Sequence, residues 1–307
     1  MSANAEARTE MLPDPWARIS VVFVVHNSAS VIADTLDNLK QATDVVIVDN
    51  QSSDGTPEMA ERLHPGVRVI RRDDNLGLTI ASNQGFREAT RDYVLHLNPD
   101  TRFDTACIAR LVQTMDENPN CAVVGPLLYN NRDVEELDVM GPSELRHAKI
   151  AVDPDGPFCT WFVTGAVCLW RRSALDAMDG FDENIFLYYE DADLCLRCAK
   201  AGWSLIIEPR ADGHHYGGQS EAMSDKTRWR KDWNMAWGHL YFEAKHGDAA
   251  ATRQLARSLL VGHAWSAFLG LLTFRRKRVV GQAARVAGIW RFLSGRPSWG
   301  RLDLKKG

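Results

Sequence analysis

The chain has too few cysteines, six in 307 residues, to be held together by disulfides. Its one close pair, Cys195-x-x-Cys198, lacks the second pair that a structural zinc site needs. Reduced thiols in a cytoplasmic setting fit that usage. No glycine fingerprint of the G-x-G-x-x-G type follows the first apolar run, and no G-x-x-x-x-G-K-[ST] occurs anywhere, which excludes the two commonest glycine-rich phosphate loops. The most apolar segment of the tail, residues 259–274, is uncharged over sixteen residues, short of the roughly 20 that cross a bilayer as a helix. The first residues carry no apolar core between basic residues and a cleavage site, so residues 1–17 are read as a flexible lead-in and not a secretory signal.

What is present is the composition of an ordinary globular protein, 45% hydrophobic and 25% charged, which excludes wholesale disorder and a polytopic membrane protein. The length predicts one large domain with an appendage, or two domains. A net charge of -4 hides an asymmetry. Residues 249–307 hold twelve of the 36 basic residues and one of the 40 acids, so residues 1–248 keep 24 bases against 39 acids. An acidic body therefore carries a basic tail, in which Arg275-Arg276-Lys277-Arg278 directly follows the uncharged stretch. A buried helix with a solvated basic edge and an interfacial helix held by anionic lipid both fit that pattern. A basic stretch alone does not exclude nucleic acid. The partner expected of residues 253–306 is an anionic membrane surface, and no nucleic acid is expected.

Two periodicities alternate through the first half. Apolar runs without alternation stand at residues 19–25, 44–49, 67–70, 93–97 and 121–125. Between them, residues 30–40, 79–90 and 104–117 carry apolar positions at the 3.6-residue period of a helix. Such an order predicts an α/β domain whose mostly parallel sheet is covered by helices on both faces. In these sheets ligands lie beyond the carboxyl ends of the strands. A strand-like stretch at 160–170, a helix at 188–201 and a strand at 203–208 follow a less regular connection at 130–158, and from Lys226 onward the chain reads as helices. The expected division is 1–17, a domain over 18–222, and a helical, basic extension over 223–307.

Three strand ends are rich in polar groups: His26-Asn27-Ser28, Asp49-Asn50-Gln51-Ser52-Ser53-Asp54, and Asn98-Pro99-Asp100. A carboxylate at the end of a buried strand is costly to desolvate unless a cation offsets it, and a divalent ion at Asp100 is one solution; an ordinary turn is the other. Asp49 to Asp54 supply donors and acceptors suited to a nucleobase or ribose, or they cap the following helix. Glu190 and Asp191 open a helix where the macrodipole favours anions, and Asp193 pairs with Arg197 one turn on. Three acids in four residues repel, which favours a general base at Asp191 or Glu190 over a merely charged face. His214-His215 fits a core histidine or a metal ligand.

In this order the motifs VDNQSSDGT (48–56), NLGLTIASNQG (75–85), LNPDT (97–101), GFDENIFLYYEDADLCLR (180–197) and HHYGGQS (214–220) resemble the inverting glycosyltransferases of family 2, which have the GT-A fold, and most of all their rhamnosyltransferase-like branch. The resemblance spans roughly residues 18–221 and leaves the tail unexplained. It implies a Rossmann-like, mostly parallel GT-A sheet and transfer of a sugar, rhamnose in that branch, from a nucleotide-diphosphate sugar such as dTDP-rhamnose to a saccharide or polyprenyl-linked acceptor. It implies donor binding by His26, Asn27, Asp49, Asn50, Ser52, Asp54, Asn75, Gly77, Asn83 and Asn98. It further implies Mg²⁺ or Mn²⁺ on Asp100 with His215, the histidine five residues before Ser220, and Asp191 as base supported by Glu190. The family's paired aspartates read Asn98-Pro99-Asp100 here, so the first carboxylate is missing. The expected location is cytoplasmic, peripheral on the inner face of the cell membrane. A sugar nucleotidyltransferase and a non-catalytic nucleotide-sugar-binding relative are the competing readings; the first would need a glycine-rich triphosphate loop near the first strand, and the second a decayed key position.

Overall fold

A computed structural model of the protein describes residues 14–129, 156–216 and 224–298. Most of the expected lead-in and irregular connection, residues 217–220 of the last motif and the end of the basic tail lie outside the described residues.

The strands β1 (Ile19–Val25), β2 (Val45–Asp49) and β4 (Tyr93–Leu97) are the continuous apolar runs, and every residue in them is buried. With β3 (Arg68–Arg71) they form a parallel array in the order β3-β2-β1-β4. Burial on both faces explains why these runs do not alternate. The helices α1 (Ile32–Asn38), α2 (Thr56–Leu63) and α4 (Thr105–Glu117) bury Ile32, Leu36, Ala60, Ile108 and Leu111 in a core on one face. On the other face α3 (Leu78–Glu88), α5 (Arg172–Met178) and α6 (Glu190–Lys200) bury Ala81, Phe86, Leu175, Leu194 and Cys195.

Beyond β4 the sheet, which has nine strands among the described residues, becomes mixed. β8 (Val167–Arg171) runs antiparallel to both β4 and β6 (Cys121–Tyr129), and β6 is parallel to β9 (Ser204–His215). The end of β9 pairs antiparallel with β5 (Thr101–Phe103), and β7 (Phe158–Cys159) pairs with β9 as well. The parallel pattern expected from the sequence thus describes the first half of the sheet. The stretch 160–170 is not one strand: residues 160–166 form a loop between β7 and β8. In that loop the Gly165 amide serves α6 and not a neighbouring strand. The curl of β9 matters most, because it sets His215 opposite Thr101, beside Asp100.

Three helices complete the fold: α7 (Asp225–His246), α8 (Ala249–Leu272) and α9 (Arg276–Leu293). Asp248 caps α8 through the Ala250 and Ala251 amides. Of the aromatic residues of α7, Trp233, Trp237 and Phe242 are buried, with Phe242 in the sheet core. At 24 residues α8 runs well beyond the sixteen-residue uncharged segment, taking in Arg253 and Arg257, and is long and apolar enough to cross a membrane. It is not the buried helix that the sequence allowed; most of its second half is exposed.

Candidate active site

β1 and β4 are neighbours at the point where the strand order reverses, β2 and β3 lying outward of β1 and β8 outward of β4, and the crevice lies at their carboxyl ends. A cavity of about 640 Å³ occupies it, lined by His26, Asn50, Asn75, Gly77, Asn98, Asp100, Glu190, Asp191 and His215 among others. The strand ends are tied to one another. His26 Nδ1 lies 2.8 Å from the Asn50 carbonyl oxygen, and Asn50 Nδ2 donates to Asn75 Oδ1 at 3.0 Å and to the Gly77 carbonyl at 3.1 Å. Gly77 has φ +93, and a Cβ there would meet the Phe186 carbonyl oxygen at 2.5 Å, so only glycine allows this wall to close.

Five of the residues assigned to donor binding stand behind the wall and not on it. Asn27 accepts from the Ser53 amide at 2.8 Å and its own amide donates to Ser52 Oγ at 2.9 Å. Asp49 accepts from the Ser52 amide. Asp54 accepts from the Ala29 amide and the Thr56 hydroxyl. Burial alone would raise the Asp54 carboxyl, but those hydrogen bonds outweigh it and hold the group below its usual value. Asn83 accepts from the Phe181 amide at 2.8 Å and returns a bond to the Phe181 carbonyl, clamping the chain ahead of α6. Asn27, Asp49, Ser52, Asp54 and Asn83 hydrogen-bond to the backbone of the loops that carry the lining residues.

Asp100 and His215, the two residues expected to hold a metal, lie side by side. Asp100 Oδ1 and His215 Nε2 are 3.5 Å apart, and Asn98 Nδ2 is 3.5 Å from the same nitrogen. The turn beneath them is held by the Asn98 amide on the Ala166 carbonyl and the Thr35 hydroxyl on the Pro99 carbonyl. His214 points away and stacks on Tyr216. Among the described residues there is no cluster of three acidic, histidine or cysteine ligands. Two protein donors, one carboxylate and one imidazole, still suit Mg²⁺ or Mn²⁺, since such ions keep most of their positions for phosphate oxygens and water.

The acidic pair opens α6 after a strained turn: Tyr188 and Tyr189 have φ +68 and +73, a conformation costing on the order of 1–3 kcal/mol for each non-glycine residue. Packing from α7 stabilises it. Gly238 comes so near that an added Cβ would lie 3.0 Å from the Tyr188 carbonyl oxygen, and Tyr189 stacks on His239. Asp191 Oδ2 accepts from the Gly165 amide at 3.0 Å, and Oδ1 from the Ala192 amide. Glu190 is buried beside it; desolvation first, and the Asp191 charge second, push its carboxyl up to about 8. Both effects favour the protonated form of Glu190. Its Oε2, Asn50 Oδ1 and His96 Nδ1 are three of the seven buried side-chain polar atoms without a hydrogen-bond partner among the described residues. All three belong to residues lining this cavity. Such clustering marks a site built for a polar ligand.

Sequence reasoning missed His96, Gly165, Arg230 and Lys231, all on the wall. His96 sits two residues before Asn98 inside a buried strand, where burial pushes its imidazole down to about 4 and keeps it neutral. Its strand position made it read as core. Arg230 and Lys231 stand on α7 and bring cations to the cavity; a boundary drawn near residue 222 had assigned them to an appendage.

Residues 20–178, more than half of the chain, match the family model for glycosyl transferase family 2. Over 246 residues the chain is 29% identical to the N-acetylglucosaminyl-diphospho-decaprenol L-rhamnosyltransferase of Mycobacterium tuberculosis, covering 69% of this chain and 78% of the relative. It is 28% identical over 211 residues to the poly-beta-1,6-N-acetyl-D-glucosamine synthase of Staphylococcus aureus, covering 64% of this chain and 50% of that protein. Among solved structures, the mannosyltransferase PcManGT from Pyrobaculum calidifontis, in complex with GDP-Man and Mn²⁺, superposes with a TM-score of 0.60 at 20% identity, covering 90% and 87% of the two chains. S. aureus TarS superposes with a TM-score of 0.52 at 16% identity, covering 91% and 92%. These likenesses establish the GT-A fold with a C-terminal helical region.

Proposed function

Since the chain belongs to glycosyl transferase family 2 and acts in glycan or cell-envelope synthesis, we propose that it is an inverting hexosyltransferase dependent on a divalent cation. The donor is a nucleotide-diphosphate sugar and the acceptor a hydroxyl of a saccharide or polyprenyl-linked saccharide. One observation carries the reading: the Asp100–His215 pair and Asp191 line a single cavity of about 640 Å³. dTDP-rhamnose is the proposed donor, supported by the rhamnosyltransferase named among the relatives. The same relative, whose name specifies a decaprenol-linked substrate, supports a lipid-linked acceptor and a peripheral position at the cytoplasmic face of a membrane.

The chemistry follows from the residue types. Asp100 Oδ1 and His215 Nε2 would hold Mg²⁺ or Mn²⁺, which offsets the charge that develops on the departing diphosphate. Arg230 and Lys231 add positive charge to the same cavity. His26, Asn50 and Asn75 form its nucleotide end, where Asn50 Oδ1 accepts a donor N–H or O–H. Asp191, fixed by the Gly165 amide, takes the proton of the acceptor hydroxyl as its oxygen bonds to the anomeric carbon. The bond from that carbon to the phosphate oxygen breaks, the nucleoside diphosphate leaves, and no enzyme-bound sugar forms. Glu190, neutral, donates a hydrogen bond to a sugar hydroxyl and spares Asp191 a second full charge beside it.

Incubation with dTDP-rhamnose, Mn²⁺ and a prenyl-diphosphate N-acetylglucosamine acceptor tests this directly. Acceptor-dependent release of nucleoside diphosphate is expected. Release of inorganic pyrophosphate from a separate incubation with dTTP and a sugar 1-phosphate would instead identify a nucleotidyltransferase, and no turnover in either incubation would leave a binding protein.

A further inference from the structure

The outward side of α8 changes character along its length. In its first half the exposed positions include Gln254, Leu255, Arg257 and Ser258; in its second they include Val261, Trp265, Phe268, Leu271 and Leu272, at 69, 61, 47, 60 and 60% exposure. Phe274, in the turn to α9, is 94% exposed. Val261, Trp265, Phe268 and Leu272 recur at i, i+4, i+7 and i+11, which puts them on one face over roughly 16 Å of helix. Soluble surfaces do not carry so contiguous an apolar patch without a partner.

The patch sits on a stiff support. His263 Nδ1 is 2.6 Å from Gln282 Oε1, Arg278 donates to Ser266 Oγ, and Gly270 admits Val279 so closely that a Cβ there would lie 3.0 Å from it. Ala256 and Ile289 pack with Leu240 of α7, which roots the hairpin in the rest of the molecule. Directly after Phe274 come Arg275, Arg276, Lys277 and Arg278, all exposed. Asp225 holds Arg276 at 2.7 Å, whereas Arg275 and Lys277 have no carboxylate partner among the described residues. An apolar tip collared by uncompensated cations complements acyl chains beneath anionic headgroups. A second copy docked on the same face by two-fold symmetry would bring two such collars together.

We infer that the α8–α9 hairpin is a monotopic membrane anchor, inserting Trp265, Phe268, Leu272 and Phe274 at an anionic lipid surface with Arg275 and Lys277 on the headgroup phosphates. This deepens the proposed function and rests on it only for the purpose of the anchor, delivery of a lipid-linked acceptor. α8 is long enough to span a bilayer. Arg253 and Arg257 on its exposed side, and α9 packed along it with Arg276, Lys277, Arg278 and Arg285, keep it at the interface.

Sedimentation of the full chain with vesicles of phosphatidylcholine, with and without phosphatidylglycerol, tests the assignment. Binding to the anionic vesicles is expected to exceed binding to the neutral ones by roughly tenfold, and to fall by roughly tenfold in W265E/F268E/L272E and several-fold in R275E/K277E. Both variants should transfer sugar to a short soluble acceptor as the wild type does. Equal binding to both vesicle types, unchanged binding of either variant, resistance of bound protein to alkaline carbonate, or a vesicle-free dimer dissolved by W265E/F268E/L272E would each overturn it. If no transfer occurs in any form while the vesicle results hold, the proposed reaction fails and the anchor stands.

Discussion

The cavity-facing and the α7-facing sides of α6 carry the same functional group in opposite surroundings. On one side Glu190 is buried with no ion pair among the described residues, and desolvation with the Asp191 charge favours its protonated form. On the other, Asp193 is fully buried and met by Arg197 at 2.8 Å, Lys245 at 2.6 Å and His246 at 2.7 Å. Burial alone would raise the Asp193 carboxyl; His246, Arg197 and Lys245 overcome it and bring it down to about 2. The fold thus pairs three cations directly with the acid that ties α6 to α7, whereas Glu190 forms no such ion pair among the described residues. Lys245 bridges onward to Asp182 at 2.7 Å, and the Tyr241 hydroxyl reaches the same carboxylate. One ionic cluster therefore joins the helical region to the chain that positions the acidic pair.

If the two sides differ as described, Asp191→Asn has the largest effect, a loss of roughly 10²–10⁴ in kcat with folding stability unchanged, measured by steady-state turnover and thermal unfolding. Asp193→Asn acts in the reverse manner. It leaves Lys245, His246 and Arg197 around a neutral amide and costs about 3–5 kcal/mol of stability in chemical denaturation. In the wild type, the stability that ionised Asp193 contributes is present in full above its ordinary pKa near 4 and is lost as pH falls towards 2, so that this variant narrows the gap to wild type in acid. Glu190→Gln is milder. The stability linked to the Glu190 proton is complete below about pH 4.5 and lost as pH rises towards 8, so the variant gains on the wild type across that window by an amount on the order of a few kcal/mol. Turnover should lose its alkaline limb near pH 8 in Glu190→Gln, because a glutamine still donates; an unchanged limb would assign it to another group. Lys245→Met, at a partly exposed position, should cost the least, about 1 kcal/mol.

The parallel half of the sheet was legible because β1, β2 and β4 are unbroken apolar runs and their polar ends follow at once. The antiparallel half was not, since β8 and β9 receive their partners from strands far away in the chain and nothing local in TWFVTGAVCLW marks where a loop ends and β8 begins. Asp100, Glu190 and Asp191 were legible as acids at a strand end and a helix start, His215 only through the family resemblance, and the structure brings all four to one cavity. Asn83 and Asp54 look the same in a sequence, yet their partners are backbone groups of Phe181 and Ala29, contacts that no spacing reveals. From Lys226 onward the sequence reads as helices and no more. The service of α7 in bracing the strained Tyr188–Tyr189 turn through Gly238 while presenting Arg230 and Lys231 exists only once the chain has folded back on itself.

The division of labour within the cavity is tested most directly by calorimetric titration of Mn²⁺ with dTDP into the wild type, Asp191→Asn and Asp100→Ala. The account predicts that Asp191→Asn binds within a few-fold of the wild type and that Asp100→Ala loses the metal-dependent part of the affinity. Equal binding by all three proteins, or loss in Asp191→Asn with retention in Asp100→Ala, would contradict it.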